Sequence, residues 1–297
     1  DSNTALGYQA LTANTTADGN TGVGYQALKD ITTGGYNTGI GYRAGENLTT
    51  GTYNVAVGIN ALQATTTGND NVAIGRNALA TQSDPSVSVA IGYAALTANT
   101  SGYGNVGVGA SALTANTTGD NNVALGINAL KANTTADSNI AIGWNALGAS
   151  TTGSTALAIG YGAADAWTGS YSIMAIGYEA LTACTTGVNN TAVGRYALKT
   201  LTTTSENTAI GNMSMQASTT ASQCTAVGSN SMYTNTTGAN NTAVGHNALY
   251  SNTTGSDNVA IGQQALEANA TTGKNIAIGY QALHANTADD NIAVGYK

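Results

Sequence analysis

Phenylalanine is absent from this chain of 297 residues, proline occurs once, at Pro85, and tryptophan twice. So few large apolar side chains exclude a thick core of the ordinary globular kind. Small residues suit thin, closely stacked layers instead. Charge is equally scarce: 8% of residues are Asp, Glu, Lys or Arg, against the usual quarter of a soluble domain. Eight Lys and Arg, spread thinly through a chain of net charge -7, argue against nucleic acid as a partner, because counterion release needs clustered cations. No apolar run reaches the roughly 18 residues that a membrane-spanning helix requires, so this segment is not expected to insert into a membrane. The two cysteines, Cys184 and Cys224, stand more than two repeats apart. They are expected to be free, small apolar residues rather than a bridge.

What the chain does have is a period. A glycine recurs every 17 residues from Gly7 to Gly279, and only the last step, to Gly295, is one residue shorter. Val, Ile or Leu precedes each of these glycines, and Ala or Gly precedes that residue. So constant a period means a repeat architecture, with one array over residues 1–297, 17 units plus a partial C-terminal one, and no separate second domain. The branched aliphatic in fixed register separates the chain from disordered low-complexity sequence. It opens at Asp1 inside a repeat and stops inside another at Lys297, and is read as part of something longer.

The unit is clearest at Asn54 to Asp70, N-V-A-V-G-I-N-A-L-Q-A-T-T-T-G-N-D. Numbering its positions 1 to 17 from the Asn, position 2 is Thr, Val or Ile, 3 is small, 4 is aliphatic, 5 is Gly, 8 is Ala or Ser and 9 nearly always Leu. Positions 1 to 5 read as a short strand with 2 and 4 on one face, the aliphatic face taken as core. The fixed glycine, as at Gly7, Gly58, Gly143 and Gly262, permits a positive φ or a contact that no Cβ tolerates. Thr-Thr-Gly and the Asn or Asp after it supply turns. Seventeen residues so punctuated leave no room for an ordinary helix, so the fold class is all-β, a parallel β-solenoid or β-roll with one 17-residue rung per repeat. Stacking then sets like on like, including Asn ladders. One aliphatic, one Leu and a few alanines per rung make a thin core, so chains are expected to associate.

The stretch from Asn105, N-V-G-V-G-A-S-A-L-T-A-N-T-T-G-D-N-N-V-A-L-G, resembles the head repeats of YadA-like trimeric autotransporter adhesins. The unit N-T-A-V-G-x-x-A-L-x-x-N-T-T-G is similar to repeats of phage and bacterial tail-fibre proteins. The likeness runs over essentially the whole chain and implies a homotrimeric β-roll fibre, extracellular, at a virion or bacterial cell surface, serving host attachment. The C-terminal chaperone or membrane anchor of such proteins is not in this sequence.

Chemistry is hard to find. His246 and His284 have no ligand-spaced Cys or carboxylate, so no metal site is expected. No G-x-S-x-G elbow, phosphate-cradling loop or recurring carboxylate pair appears; the chain is read as no enzyme, without catalytic residues or cofactor. Asp70, Asp120, Asp137, Asp257, Asp289 and Asp290 gather at the rung boundary, where turn capping outranks calcium binding. Position 6 varies most and is often aromatic, as at Tyr8, Tyr25, Tyr42, Tyr161 and Tyr178. It is either a packed column or a platform for sugars. The repeat is weakest between Gly153 and Met174, and Trp144, Trp167 and Tyr171 in or beside this window are the candidate contacts to a cell-surface glycan. A second irregular unit around Ser83 to Val87 holds Pro85, and a local bulge would explain it. The leading function is a structural and adhesive fibre segment. A self-polymerising filament or surface-layer protein is the alternative, and an ice-binding solenoid is third.

Overall fold

The computed structural model describes residues 2–81, 83 and 87–297. The bulge expected at Pro85 falls on 84–86, outside the described residues. There are two compact units, Asp1–Ser154 and Thr155–Lys297. Each is a parallel β-solenoid, and no helix occurs among the described residues. The first unit contains β1 (Thr4–Leu6), β2 (Thr21–Val23), β3 (Thr38–Ile40), β4 (Val55–Val57), β5 (Val72–Ile74), β6 (Val89–Ile91), β7 (Val106–Val108), β8 (Val123–Leu125) and β9 (Ile140–Ile142). The second runs from β10 (Leu157–Ile159) and β11 (Met174–Ile176) through β12 (Thr191–Val193), β13 (Thr208–Ile210), β14 (Thr225–Val227) and β15 (Thr242–Val244). It ends with β16 (Val259–Ile261), β17 (Ile276–Ile278) and β18 (Ile292–Val294).

Within each unit every strand pairs in parallel with the next, one repeat on: Ala56 lies beside Ala73, and Ala209 beside Ala226. The short last repeat brings Ile276 beside Ile292. The ladder is the same on each rung. The position-2 amide donates to the next rung's position-1 carbonyl, as Val55 does to Asn71 at 2.8 Å, and the repeat glycine's amide donates to the preceding position-4 carbonyl, as Gly75 does to Val57 at 2.8 Å.

The strand face is inverted relative to the sequence expectation. Positions 2 and 4 do share a face, but it points outward, and the Ala or Gly of position 3 points in. Ala56, Ala73, Ala124 and Ala209 are fully buried, whereas Ile40, Ile74 and Ile210 are 38–40% exposed. Sterics explain it. A Cβ added at Gly39 would lie 2.7 Å from Cγ of Leu28, and one at Gly107 3.4 Å from Cγ of Leu96. The position-9 leucine of the preceding rung already fills the space beneath the strand, leaving room there for only the smallest side chains.

The corner after each strand turns through two left-handed residues, positions 7 and 9. Asn77 and Leu79 have φ of 60° and 48°. Positive φ is a true outlier for a β-branched side chain, which is why position 9 holds Leu or Met, and in places Ala or Gly, but no Val or Ile. At Gly262 φ is +132°, and a Cβ would sit 2.4 Å from the carbonyl oxygen of Gly279 on the next rung. Both reasons expected for the repeat glycine therefore apply together.

Asparagine ladders supply the polar part of the interior. Asn37 is fully buried. Its backbone amide donates to Oδ1 of Asn20 at 2.8 Å, its Nδ2 to the Gly51 carbonyl at 2.8 Å, and its own Oδ1 accepts from the Asn54 amide at 2.9 Å. A second column stands at position 12, where Nδ2 of Asn116 donates to Oδ1 of Asn99 at 3.0 Å. Column amides are thus satisfied by their own rung and its neighbour, with an exception where the position-12 column passes from Asn to Ser: Oδ1 of Asn133 and Oγ of Ser150 are buried without a hydrogen-bond partner.

Cys184 and Cys224 are free and buried within these two columns, at positions 12 and 1. Burial pushes the Cys184 thiol up to about 11, and raises Cys224 as well. Because only the thiolate reacts, the folded chain at pH 8 should consume a thiol reagent at least about 100-fold more slowly than a free cysteine. Both thiols should titrate at once in denaturant. Rapid modification of either in the folded chain would contradict this core placement.

Candidate interaction surface

The outward strand face recurs on every rung of each unit. Position 4 runs from Leu6 to Ile142 in the first unit and from Ile159 to Val294 in the second, always aliphatic. Position 2 adds Thr, Val and Ile, with Leu157 and Met174. Neither column carries a charge. Parallel and in register, the two columns lay an uncharged, largely apolar band along each unit.

Tyrosine columns border it at position 6. The rings of Tyr8 and Tyr25 stack at 5.3 Å, Tyr25 and Tyr42 at 5.0 Å, and Tyr161 and Tyr178 at 5.1 Å. Tyr36 and Tyr53 stack at 5.2 Å just before their strands. The rung spacing places ring upon ring, so within a column the faces cover one another and the edges meet solvent. A sugar stacks on a ring face. Between the two readings of position 6, the geometry is that of a packed, edge-exposed column.

The three aromatics expected to contact glycan are not all at the surface. Trp144, following β9, is 43% exposed, and Tyr171, preceding β11, is 71% exposed. Trp167 is fully buried. It occupies position 12, the place of the inner Asn column, and its Nε1 donates to the Gly187 carbonyl at 3.2 Å. Around it position 1 is Ala156 or Ile173 rather than Asn. The irregular window is therefore an interior repacking, in which one indole N–H takes over an amide's donor role and smaller or apolar neighbours accommodate its volume. A tryptophan at position 12, which elsewhere holds mostly Asn or apolar residues such as Ile31, Leu48 and Leu201 and is buried with them, is the sequence signal that marks it as core.

Three of the rung-boundary carboxylates act as caps, as expected from turn chemistry, and Asp257 instead accepts from Nδ2 of Asn240 at 3.0 Å. Asp120 accepts the Tyr103 amide at 2.7 Å, Asp137 accepts the Asp120 amide at 2.7 Å, and Asp289 accepts that of Gly273 at 2.7 Å. No group of three or more potential metal ligands comes together among the described residues. The threonines of position 13 are committed too: Thr117 donates to the Thr134 carbonyl at 2.9 Å and Thr236 to that of Thr253 at 2.9 Å.

Sequence reasoning missed how the few cations are placed. Arg43 lies 5.3 Å over the Tyr42 ring, Arg76 4.5 Å over Tyr93, and Arg195 4.4 Å over Tyr196. Lys199 pairs with Glu179 at 2.8 Å and also lies 4.4 Å over Tyr196. The Lys199 hydrogen bond holds the Glu179 carboxyl below its usual range, and that same bond raises Lys199. Arg43 and Arg195 use the tyrosine next to them in sequence, whereas the Arg76–Tyr93 and Lys199–Glu179 contacts join neighbouring rungs and become visible only once the repeat is folded into register. No protein-family profile matches the chain, and no curated protein matches it.

Proposed function

We propose that this chain is a structural, adhesive segment of an extracellular fibre at a virion or bacterial cell surface, built from copies lying side by side on their strand faces. The resemblance to trimeric adhesin heads and tail-fibre repeats implies three copies. The observation that carries the proposal is the uncharged aliphatic strand face, present on every rung and left in water by a single chain. Covering such a face is favourable at about 25 cal/mol for each Å² of apolar surface removed from water. Stacked rungs with buried Asn columns suit a stiff shaft that positions an attachment function. Trp144 and Tyr171 stay as exposed aromatic candidates for glycan contact; Trp167 does not.

Absolute mass from light scattering over a range of concentrations tests this. A species near three times 29.5 kDa is the expected result. Open-ended polymers would instead favour the filament, and a well-folded monomer at every concentration would overturn the assembly.

A further inference from the structure

The strand face has two unlike rims. In every rung, positions 16 and 17 lead into the strand and positions 6 and 7 follow it. Among the described residues, the leading rim holds eight carboxylates, including Asp70, Asp120, Asp137 and Glu206, against one cation, Lys274. The following rim holds four cations, Arg43, Arg76, Arg195 and Lys297, against one carboxylate, Glu179. In a chain where charge is rare, net charges of -4 and +2 on the two rims of the first unit's face, and of -3 and +1 on those of the second, are a marked segregation. Three of the four cations are also held against tyrosine rings, which fixes guanidinium groups at that rim.

We propose that these rims set the orientation of the partner on the strand face: a second copy of this chain, running parallel to the first. The inference rests on the preceding reading that further copies cover that face. Neighbouring copies running in the same direction, whether two face to face or three around a common axis, bring the leading rim of one against the following rim of the next, acid against cation. Reversing one copy sets carboxylate rim against carboxylate rim and arginine rim against arginine rim. Like charges juxtaposed at an interface are a strong selector against the wrong arrangement. Register is served as well. Asp70 and Arg76, both exposed, flank the same strand, β5 (Val72–Ile74), so parallel copies at one level bring them together. Tyr36 and Tyr42 likewise flank β3 (Thr38–Ile40), meeting ring to ring where charge is missing.

Charge reversal at one rim separates the two orientations. Asp70 and Arg76 project from the rung into solvent, so their substitution leaves the interior untouched, which a melting curve confirms. Self-association of wild type, Arg76→Glu and the double variant Arg76→Glu with Asp70→Lys is compared by sedimentation equilibrium. In parallel copies Arg76→Glu sets acid against acid and should weaken association roughly tenfold, and adding Asp70→Lys should restore most of the loss. In antiparallel copies Arg76→Glu would relieve cation–cation contact and tighten association. Tightening, or no change in an assembly that does form, overturns the rim inference and leaves the assembly standing. A monomeric wild type overturns the assembly itself.

Discussion

Gly109→Val is expected to cost about 4 kcal/mol or more and to lower the melting temperature further than any surface change. Gly109 has φ of +135°, and a Cβ there would lie 2.5 Å from the carbonyl oxygen and 2.6 Å from the carbonyl carbon of Gly126. That backbone cannot move aside, since the Gly126 amide donates to the Val108 carbonyl at 2.8 Å. Steric overlap and a conformation closed to L side chains therefore add. Because the first carbon does the damage, Gly109→Ala should be almost as harmful as Gly109→Val. Gly143→Val, at φ of +131°, belongs to the same class. Gln263→Ala, at exposed position 6, should stay within about 0.5 kcal/mol of wild type. Equal melting temperatures for the glycine and glutamine variants would show that the period has been placed in the wrong register.

How much of this fold the sequence makes legible depends on whether a feature repeats. The glycine at position 5, the strand before it and the buried Asn columns follow from a period that only like-on-like stacking accommodates. Which side of the strand is interior does not follow. Alternation puts Val72 and Ile74 on one face and Ala73 on the other, and hydrophobicity favours the larger pair as core. The outcome is decided by Leu62 and its counterparts, whose left-handed backbone (φ 53° at Leu62) turns the side chain inward beneath the strand. That is a property of a corner, and residue type alone does not announce it. The same applies to Trp167. Its hydrophobicity suggests a surface anchor only while its register is ignored, because among the described residues position 12 is buried on every rung from Ile31 to Asn269.

The candidate surface is less legible still, for a physical reason. Aliphatic columns at positions 2 and 4 give the same pattern whether they face a core or a partner chain. The charged rims are thin in sequence, with only a few residues scattered over many repeats. Folding into register collects Asp70, Asp120 and Asp137 on one side of the strands and Arg43 and Arg76 on the other. Stacking thus converts sparse charge into two lines of opposite sign, which is how a chain so poor in ions can still be polar across its section.

Asn122→Ala should have the second largest effect, about 3 kcal/mol, and it tests the interior rather than the corner. Asn122 is fully buried. Its Nδ2 donates to the Ala136 carbonyl at 2.8 Å, and its Oδ1 accepts the Asn139 backbone amide at 3.0 Å. Truncation leaves the Asn139 amide without its partner in a place water does not reach, at roughly 1–3 kcal/mol, takes from the Ala136 carbonyl one of its two donors (Nδ2 of Asn133 stays at 3.2 Å), and opens a small cavity besides. The chain carries its own comparison. At Cys224 the same column holds a thiol, whose Sγ stands 3.3 Å from the Gly238 carbonyl. A weak donor there is tolerated, so Asn122→Cys should be distinctly milder than Asn122→Ala. Thermal unfolding of the two variants beside wild type makes the comparison. An alanine variant as stable as wild type would mean that the Asn column fills space without holding the rungs together, and that stacking in these units depends on the backbone ladder and the leucines alone.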